Sequence, residues 1–455
     1  MSSAFLYLGL MLAIIMLWFI LLKRPVYEAV LVSFVALVAI TNKWGAIWSY
    51  LQTGLQTSLL YSMVVFVAMS ILLTKTKIID GAIAIILSLL GRIPGGAGYV
   101  SVIASSFMGS LSGSGPGNVM ATGAITIPAM KKTGFPPELA ANIESNASYL
   151  GNMIPPSANI VASMGAFTAL YGMNPQYANS DTLIWIACWG CSLWFILQKL
   201  LMVFIFCKYY KVKPIPKEEI PSLKETLKKG WQGLLLPVII LLPFILDFFF
   251  KEGFFTQRLS AAGAKGMSSA LLFFIGGLAA IYTVIVVKDK KQVTIPAMAK
   301  MFGSSIKSIS PAIGTCLFGY MLGALFADLN VAEGLKAGIE MLNMGKLGLC
   351  LVIPLITCFM GMVIPGSSLV VMFGPVFISM FAAVGVNPIL VAAMLPCICG
   401  VMCGITPPLA LGMYAGMSLA ESDFGKTVKN DLWWVFAQYV LEVVVLMGWL
   451  PILGI

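Results

Sequence analysis

Two blocks rich in Gly, Ser and Pro interrupt a strongly apolar chain, and their polar atoms could bind a small cation or an anionic ligand. The first block is Gly109–Asn118 and the second is Gly361–Ser368. A double proline follows each block, Pro155-Pro156 in the first half and Pro407-Pro408 in the second. Polar, helix-breaking backbone at membrane depth is tolerated only where it is buried in protein or lines a cavity. Two such breaks at corresponding positions of two halves indicate a transporter's binding site.

The residue types at these breaks suit a dehydrated Na⁺ ion. Proline removes a backbone donor and frees an upstream carbonyl, while glycine lets the backbone turn and approach other segments closely. Free carbonyls, hydroxyls and amide oxygens are neutral ligands, and the C-terminal ends of half-helices add negative partial charge. We predict a first Na⁺ site at Ser112, Ser114, Asn118, Gly151, Asn152 and Pro155, and a second at Gly361, Pro365, Gly366, Ser367, Gly404, Thr406 and Pro407.

The N-terminal ends of half-helices at the same tips would present N–H groups to an anionic substrate. Arg92 precedes the first block and Arg258 lies far from both, so backbone N–H groups would have to hold a carboxylate. For any single Ser or Gly, close packing between helices is an equally good explanation, but the repeated pattern favours a site. The predicted substrate residues are Ser110, Ser114, Asn118, Ser157, Ser368 and Thr406.

Glu144 is an acidic residue in the apolar stretch 139–149. A carboxylate inside a membrane is a candidate for function by default, and it could bind a coupling proton. It could also hold the unwound segment through hydrogen bonds. The second half has no acid at the matching place, which is Leu395 or Pro396, so we favour the structural role.

Composition places the chain in the membrane. Of 455 residues, 59% are hydrophobic and 10% are charged, and the mean hydropathy is +0.96. No soluble domain has so few surface charges. The net charge of +10 does not indicate a nucleic-acid-binding protein, because the lysines cluster in loops between apolar spans.

The absence of histidine removes His-based zinc sites, Ser-His triads and His proton relays, and the nine cysteines are interpreted as packing residues. We expect neither enzymatic activity nor a cofactor, apart from Na⁺ as the coupling ion.

The pattern of spans predicts an all-α polytopic protein with two inverted repeats. Apolar spans lie at 5–22, 26–41, 58–74, 182–206, 231–249, 268–287, 305–327 and 430–453, and pieces such as 97–111 are too short to cross a bilayer. If the Lys-rich segment 208–229 is cytoplasmic, counting crossings places most Lys and Arg inside and both termini outside. An odd number of crossings then separates the two repeats, which inverts one relative to the other.

Each repeat is predicted to contain an arm helix, a re-entrant hairpin and a broken transmembrane helix. Repeat one is predicted at 58–180, with its hairpin at 93–132 and its broken helix at 135–172. Repeat two is predicted at 305–422, with its hairpin at 346–384 and its broken helix at 387–420. The remaining regions are N-terminal scaffold helices at 1–57, central scaffold helices at 181–304, which include the basic cytoplasmic linker 208–229, and a C-terminal helix at 423–455.

Three motifs resemble the large membrane subunit of TRAP (tripartite ATP-independent periplasmic) transporters, the DctM-like members of the ion transporter superfamily. These motifs are Gly109–Asn118, Thr122–Gly134 and Asn152–Pro156. In the second half, Gly361-Met362 and Thr406–Pro408 resemble the family's second hairpin and broken helix. The resemblance extends over about residues 58–453 and is strongest at 93–160.

This resemblance implies a sodium-driven importer of small organic anions such as sialic acid or dicarboxylates, in the cytoplasmic (inner) membrane of a bacterium. It implies an elevator mechanism, in which a transport domain with both hairpins slides against a scaffold. It also implies two protein partners, a soluble periplasmic substrate-binding protein and a small membrane subunit on a separate chain.

Three other kinds of protein are alternatives to such an importer. A stand-alone Na⁺- or H⁺-coupled di- or tricarboxylate carrier, without a binding protein, has the same broad architecture and stays open at this point. A membrane-embedded enzyme would need a catalytic dyad or metal cluster that the sequence does not suggest. A channel needs one continuous pore, whereas broken inverted repeats suit alternating access.

Overall fold

The computed structural model is helical, and no strand occurs among the residues that it describes. It describes the chain except for residues 1, 2, 19–21, 23, 25, 57, 79, 113, 114, 172, 173, 178, 179, 217, 219, 332–344, 363–365, 408 and 409. Three predictions fall on that remainder: the arm of the second repeat and the site residues Ser114 and Pro365 lie outside the described residues. The side chain of Ser112 also lies outside them.

The first half of the chain follows the predicted order of elements. The helices are α1 (Ser3–Met16), α2 (Val26–Thr41), α3 (Ile47–Gln56), α4 (Ser58–Thr76) and α5 (Asp80–Leu90). A hairpin follows, formed by α6 (Gly96–Ser112) and α7 (Gly115–Thr133). Helix α8 (Pro137–Leu150), a 3-10 turn (Gly151–Met153) and α9 (Ala158–Tyr171) then form an interrupted helix.

The second half repeats that order after a central group of long helices. The central helices are α10 (Ser180–Tyr209), α11 (Leu223–Phe250), α12 (Thr256–Val286) and α13 (Ile295–Asp328). The second hairpin consists of α14 (Lys346–Gly361) and α15 (Gly366–Ala383). The second interrupted helix comprises α16 (Pro388–Leu395), a π-helical stretch (Pro396–Val401), α17 (Met402–Ile405) and α18 (Leu411–Ala420), and α19 (Phe424–Leu446) ends the fold.

Matching turns connect each hairpin to the interrupted helix that follows it. Gly134 has φ of 104° and Gly385 has φ of 80°, a left-handed conformation that glycine adopts without steric cost. A proline, Pro137 or Pro388, then stands in the first turn of the next helix, where its missing N–H has no intrahelical acceptor. The same local chemistry thus sets the same chain reversal in both halves.

The two halves pack reciprocally. Helix α18, from the second interrupted helix, packs against α7 and α8 of the first half. Helix α9, from the first interrupted helix, packs against α15 and α16 of the second half. At one edge of this contact, Lys131 Nζ donates a hydrogen bond to the carbonyl oxygen of Ala420 at 2.7 Å. Each hairpin is therefore completed by the far half of the other interrupted helix.

Helices α10 and α19 flank this central group. Helix α10 packs against α6, α8, α16 and α19, and α19 packs against α8, α10, α14, α16 and α17. Both helices therefore contact the hairpins and interrupted helices directly. Which helices move and which stay fixed during transport stays a prediction.

Within the described residues, four helices are long and apolar enough to cross a membrane by length and composition: Ser180–Tyr209, Leu223–Asp247, Gly366–Ala383 and Pro388–Ile405. The hairpin arms Gly96–Leu111 and Lys346–Gly361 are apolar but shorter. An all-helical polytopic membrane protein is therefore confirmed as the fold class. The membrane orientation of the two repeats stays a prediction.

Candidate functional site

The tip of the first hairpin lies against the break in the first interrupted helix. A Cβ atom added to Gly151 would lie 2.3 Å from the backbone carbonyl carbon of Gly109. A Cβ added to Gly109 would lie 2.3 Å from the carbonyl oxygen of Ser148. Only glycine permits backbones to approach this closely. The two predicted elements of the first site therefore meet, and a glycine on each side is the reason that they can.

Asn118 lies in this contact, and its amide oxygen has no hydrogen-bond partner. The residue is 1% exposed, and its Nδ2 donates to the Ser105 carbonyl oxygen at 2.8 Å and to Ser148 Oγ at 2.9 Å. The side chain thereby ties α7 to α6 and α8. Its Oδ1 is buried and has no hydrogen-bond partner. Buried polar atoms are normally paired, so a free carbonyl oxygen here is an available cation ligand.

The second hairpin meets the second interrupted helix in the same way. A Cβ on Gly361 would lie 2.1 Å from Cys403 Sγ, and a Cβ on Gly366 would lie 2.5 Å from the Cα of Gly400. In sequence register, Cys403 takes the place of Gly151 in the first half. The hairpin tip therefore rests on the π-helical stretch and on the turn that follows it.

The second interruption is longer than the sequence predicted. The irregular backbone was expected at Gly404–Thr406, but it begins at Pro396 with a π-helical stretch, and Gly404 itself is helical in α17. Pro396 has no N–H to donate to the carbonyl oxygen of Ala392. The Ser163 hydroxyl of α9 donates to that carbonyl instead. Pro396 thus leaves the Ala392 carbonyl oxygen without a donor from its own helix, and Ser163 of the other interrupted helix donates to it instead.

The two breaks meet each other at the centre of the molecule. Asn152 Nδ2 donates to the carbonyl oxygen of Gly400 at 3.3 Å. The ring of Tyr149 fills the space left by three glycines, since Cβ atoms on Gly115, Gly404 and Gly412 would lie 2.5, 1.6 and 2.2 Å from it. The described residues around the two breaks therefore form one continuous buried region.

Helix ends give this region its electrostatic character. The N-terminal residues of α7 and α18 both contact the Tyr149 ring, and those of α15 and α9 both lie beside Gly400. Helix N-termini carry positive partial charge and unpaired N–H groups, which attract anions. The C-terminal residues of α8 and α17 meet at the Tyr149 ring, those of α6 lie against Gly151 and those of α14 against Cys403, and all four ends offer carbonyl oxygens. The arrangement provides for a cation and an anion without any charged side chain.

The predicted substrate hydroxyls are buried and partly used by their own helices. Ser110 Oγ donates to the Phe107 carbonyl oxygen at 2.7 Å, and Thr406 Oγ1 donates to the Met402 carbonyl oxygen at 2.8 Å. Their protons are therefore committed, and their oxygen lone pairs suit a cation better than a carboxylate. Ser157 accepts a bond from the backbone of Asn159 at 3.3 Å and is 1% exposed, while Ser368 is 4% exposed.

Glu144 lies beside this region as a centre of hydrogen bonding. Its carboxyl group is fully buried and lies within hydrogen-bond distance of hydroxyls from α6, α7 and α8. This arrangement is what the structural hypothesis for Glu144 requires, because one group joins three helices; its part in coupling stays a prediction. The hydroxyls belong to Ser101 at 2.6 Å, Ser105 at 2.7 Å, Thr126 at 2.5 Å, Ser148 at 3.1 Å, and Thr122.

Sequence reasoning missed two features of this region. The pairing of Tyr149 with its glycines leaves no local signal, because the four residues are far apart in the chain. The second feature is a buried polar face on α19, formed by Asp431, Gln438 and Glu442. Their spacing of seven and eleven residues, which places them on one helix face, was the available signal.

Solved structures with a similar fold are membrane transporters. The YdaH transporter of Alcanivorax borkumensis superimposes with a TM-score of 0.59 at 16% identity, covering 90% of this chain and 88% of that one. MtrF of Neisseria gonorrhoeae, from a class of antimetabolite efflux pumps, gives a TM-score of 0.62 at 14% identity over 91% and 86% of the two chains. Identities this low show the fold alone.

The sequence places the chain in a transporter family. Residues 4–453 match the family model described as the tripartite ATP-independent periplasmic transporter, DctM component, so the chain belongs to the DctM family of TRAP transporter permeases. It is 26% identical to the C4-dicarboxylate TRAP transporter large permease protein DctM of Vibrio cholerae, over 85% of this chain and 84% of that protein. It is 23% identical to the sialic acid large permease SiaM of the same organism, over 90% and 89%. The resemblance in the sequence motifs is confirmed, and the family is one of transporters rather than enzymes.

Proposed function

We propose that this chain is the large permease subunit of a Na⁺-coupled, binding-protein-dependent importer of small organic anions. One observation carries the proposal: two hairpin tips and two helix breaks converge on a single buried region with paired helix N-termini and an unpartnered Asn118 oxygen. Relatives named for C4-dicarboxylates, sialic acid and 2,3-diketo-L-gulonate all carry acidic substrates. The common chemistry of these substrates is a carboxylate, which helix N-termini can bind.

The ions and substrate are assigned to complementary parts of that region. The freed carbonyls, Asn118 Oδ1 and the hydroxyl oxygens of Ser110 and Thr406 are placed at Na⁺, and backbone N–H groups of α7, α9, α15 and α18 at the carboxylate. Family membership favours this assembly over a stand-alone carrier. The proposal includes a separate small subunit, a soluble binding protein, and the bacterial inner membrane with both termini periplasmic.

The experiment that tests coupling and partners is uptake into proteoliposomes. The chain would be reconstituted with its small subunit, and uptake of labelled succinate, sialic acid and 2,3-diketogulonate would be measured with and without an imposed Na⁺ gradient and an added binding protein. Uptake should require both the gradient and the binding protein. Transport of free substrate by the permease alone would support a stand-alone carrier, and uptake indifferent to Na⁺ would contradict the ion sites.

The elevator motion can be tested at the contact between α13 and the second hairpin. We place α13 on the fixed side, and a Cβ on Gly319 would lie 3.2 Å from the Cβ of Val371 in α15. This separation is close to the range that a disulfide spans. The double variant Gly319→Cys/Val371→Cys should crosslink on oxidation, lose uptake and recover it on reduction. Full uptake in the crosslinked state would show that this contact does not slide.

A further inference from the structure

Helix α19 carries a polar face that the transport sites do not use. Asp431, Gln438 and Glu442 are 2%, 0% and 0% exposed. Spacings of seven and eleven residues bring side chains back to one side of an α-helix, so the three form a stripe along α19. The helix packs against α8, α10, α14, α16 and α17, so the stripe is enclosed by protein. Ionisable groups in such a place are rare and functional as a rule.

At one end of the stripe, Asp431 is linked to a lysine through an amide, and its Oδ2 has no hydrogen-bond partner. Lys199 of α10 is fully buried, and its Nζ donates to Asn146 Oδ1 at 3.1 Å. Asn146 Nδ2 donates in turn to Asp431 Oδ1 at 2.9 Å. The amide therefore links the ammonium group to the carboxylate, and the ammonium also lies 5.5 Å from the ring centroid of Trp434.

At the other end, Glu442 has no cation. Its Oε1 accepts from Gln438 Nε2 at 3.2 Å and from Cys397 Sγ at 3.3 Å. Its Oε2 has no hydrogen-bond partner, and neither has Gln438 Oε1. The ion pairs found among the described residues are Arg24–Glu28, Lys43–Asp328 and Lys131–Glu421, and Glu442 is in none of them.

The surroundings offer Glu442 little further charge. Lys199 is the buried cation on the packed helices, and Lys346 of α14 is half-buried and lies beside Gly448, beyond the end of α19. Asn146 faces the stripe from α8, whereas Glu144 on the same helix turns to α6 and α7. The other titratable groups that face the stripe are neutral thiols and a phenol: Cys191, Cys358, Cys397, Cys399, Cys403 and Tyr439.

The charges of this buried cluster balance only if one of its two carboxyl groups is protonated. Lys199 contributes one positive charge, while Asp431 and Glu442 contribute two negative ones if both are ionised. An uncompensated charge in the interior costs several kcal/mol, and the usual outcome is that the group becomes neutral. Glu144 is also buried, but five hydroxyls lie within hydrogen-bond distance of its carboxyl group. Glu442 has two donors, both on one oxygen.

We propose that Glu442 is a proton-binding site. Its Oε2 takes one proton from water, which neutralises the set Lys199, Asp431 and Glu442. The site lies apart from the hairpin tips, but its partner Cys397 belongs to the π-helical stretch that leads to Thr406. Release of the proton would leave an unpaired anion against the second broken helix, so proton binding stabilises the packing around the second ion site. That effect on transport rests on the proposed function, whereas the proton site itself does not.

The direct test is infrared spectroscopy of the purified permease at neutral pH, in which a protonated carboxyl is distinguished from a carboxylate. Charge balance predicts how many of Asp431 and Glu442 are protonated: one in the wild type, none in Glu442→Gln, none in Asp431→Asn and two in Lys199→Met. In Asp431→Asn, Glu442 ionises because Lys199 has lost its counter-charge. Difference spectra against Glu442→Gln remove the contribution of every other carboxyl. An ionised Glu442 in the wild type, or an unchanged protonated band in Asp431→Asn, would overturn the proposal.

A second measurement uses the pH dependence of stability. A folded state that holds a proton which the unfolded chain releases becomes less stable as pH rises, by up to about tenfold per pH unit in the folding equilibrium constant. The wild type should show this loss from the pH at which an unfolded glutamate ionises up to the pH at which Glu442 releases its proton, whereas Glu442→Gln, which mimics the protonated acid, should match the wild type in acid and lack the loss above it. A purely structural role for the carboxylate predicts the reverse, a Gln variant destabilised equally at every pH.

A transport measurement distinguishes failure of this proposal from failure of the proposed function. Na⁺-driven uptake by the wild type should decline at alkaline pH, and uptake by Glu442→Gln should not. Parallel pH profiles for the two proteins would overturn the link between the proton and the second ion site. If neither protein transports, the proposed function fails, and the infrared and stability measurements still decide whether Glu442 binds a proton.

Discussion

Replacing Asn118 with Leu should weaken Na⁺ binding in addition to its cost in folding stability. The substitution keeps the shape of the side chain but removes the unpartnered Oδ1 and the two bonds that Nδ2 donates, at 2.8 and 2.9 Å. Each neutral hydrogen bond contributes about 1 kcal/mol, so the cost in stability is about 2 kcal/mol. An interaction with a charged partner contributes about 1.5–3 kcal/mol, and loss of one such ligand raises the Na⁺ concentration for half-maximal uptake by about 10- to 100-fold.

The assay is initial uptake rate against Na⁺ concentration in proteoliposomes, with thermal unfolding measured on the same preparations. Asn142→Leu is the matched control. Asn142 is also fully buried, donates to a backbone carbonyl at 2.9 Å through Nδ2 and has an unpartnered Oδ1, but its partner is Thr427 of α19 rather than the hairpin. The control should lose about 1 kcal/mol of stability and keep the wild-type Na⁺ dependence.

Two results would refute the reasoning. If Asn118→Leu unfolds at a lower temperature but keeps the wild-type Na⁺ dependence, Asn118 only holds the helices together. If both variants shift the Na⁺ dependence equally, the effect reflects general loosening of the helix packing and says nothing of an ion ligand.

Three further substitutions test the surroundings of the site. Glu144→Gln should leave the ratio of Na⁺ to substrate unchanged and lower the unfolding temperature, because an amide nitrogen cannot accept from the surrounding hydroxyls and each buried group left unpaired costs about 1–3 kcal/mol; a changed ratio in a folded variant would give Glu144 a coupling role. Gly109→Ala should cost about 1–3 kcal/mol and most of the uptake, since its Cβ would lie 2.3 Å from a carbonyl oxygen, whereas Gly45→Ala has nothing within 4 Å and should behave as wild type. Ser163→Ala should cost about 1–3 kcal/mol by leaving the Ala392 carbonyl without its donor, and unchanged thermal stability would contradict that account of the π-helical stretch.

The hairpins and breaks were predictable because glycine and proline act on their own backbone. Gly134 and Gly385 adopt positive φ, and prolines at 137 and 388 begin helices, wherever the rest of the chain lies. The second break was predicted at Gly404–Thr406, and the backbone becomes extended at Thr406. The helix is already distorted at Pro396, where the missing donor is compensated by a residue more than two hundred positions away.

The sequence by itself determined a membrane-embedded helical transporter with two matching breaks, because hydrophobic content and helix-breaking residues are local properties. Tertiary structure alone decided which breaks meet, that Tyr149 fills the space of three glycines, and that Asn152 of one half reaches Gly400 of the other. It also decided that Glu442 lies against Cys397 and Gln438 without an ion pair, while Lys199 donates to Asn146, which in turn donates to Asp431. Whether a polar side chain is satisfied depends on the partners that folding brings within about 3 Å, and those partners leave no trace in the local sequence.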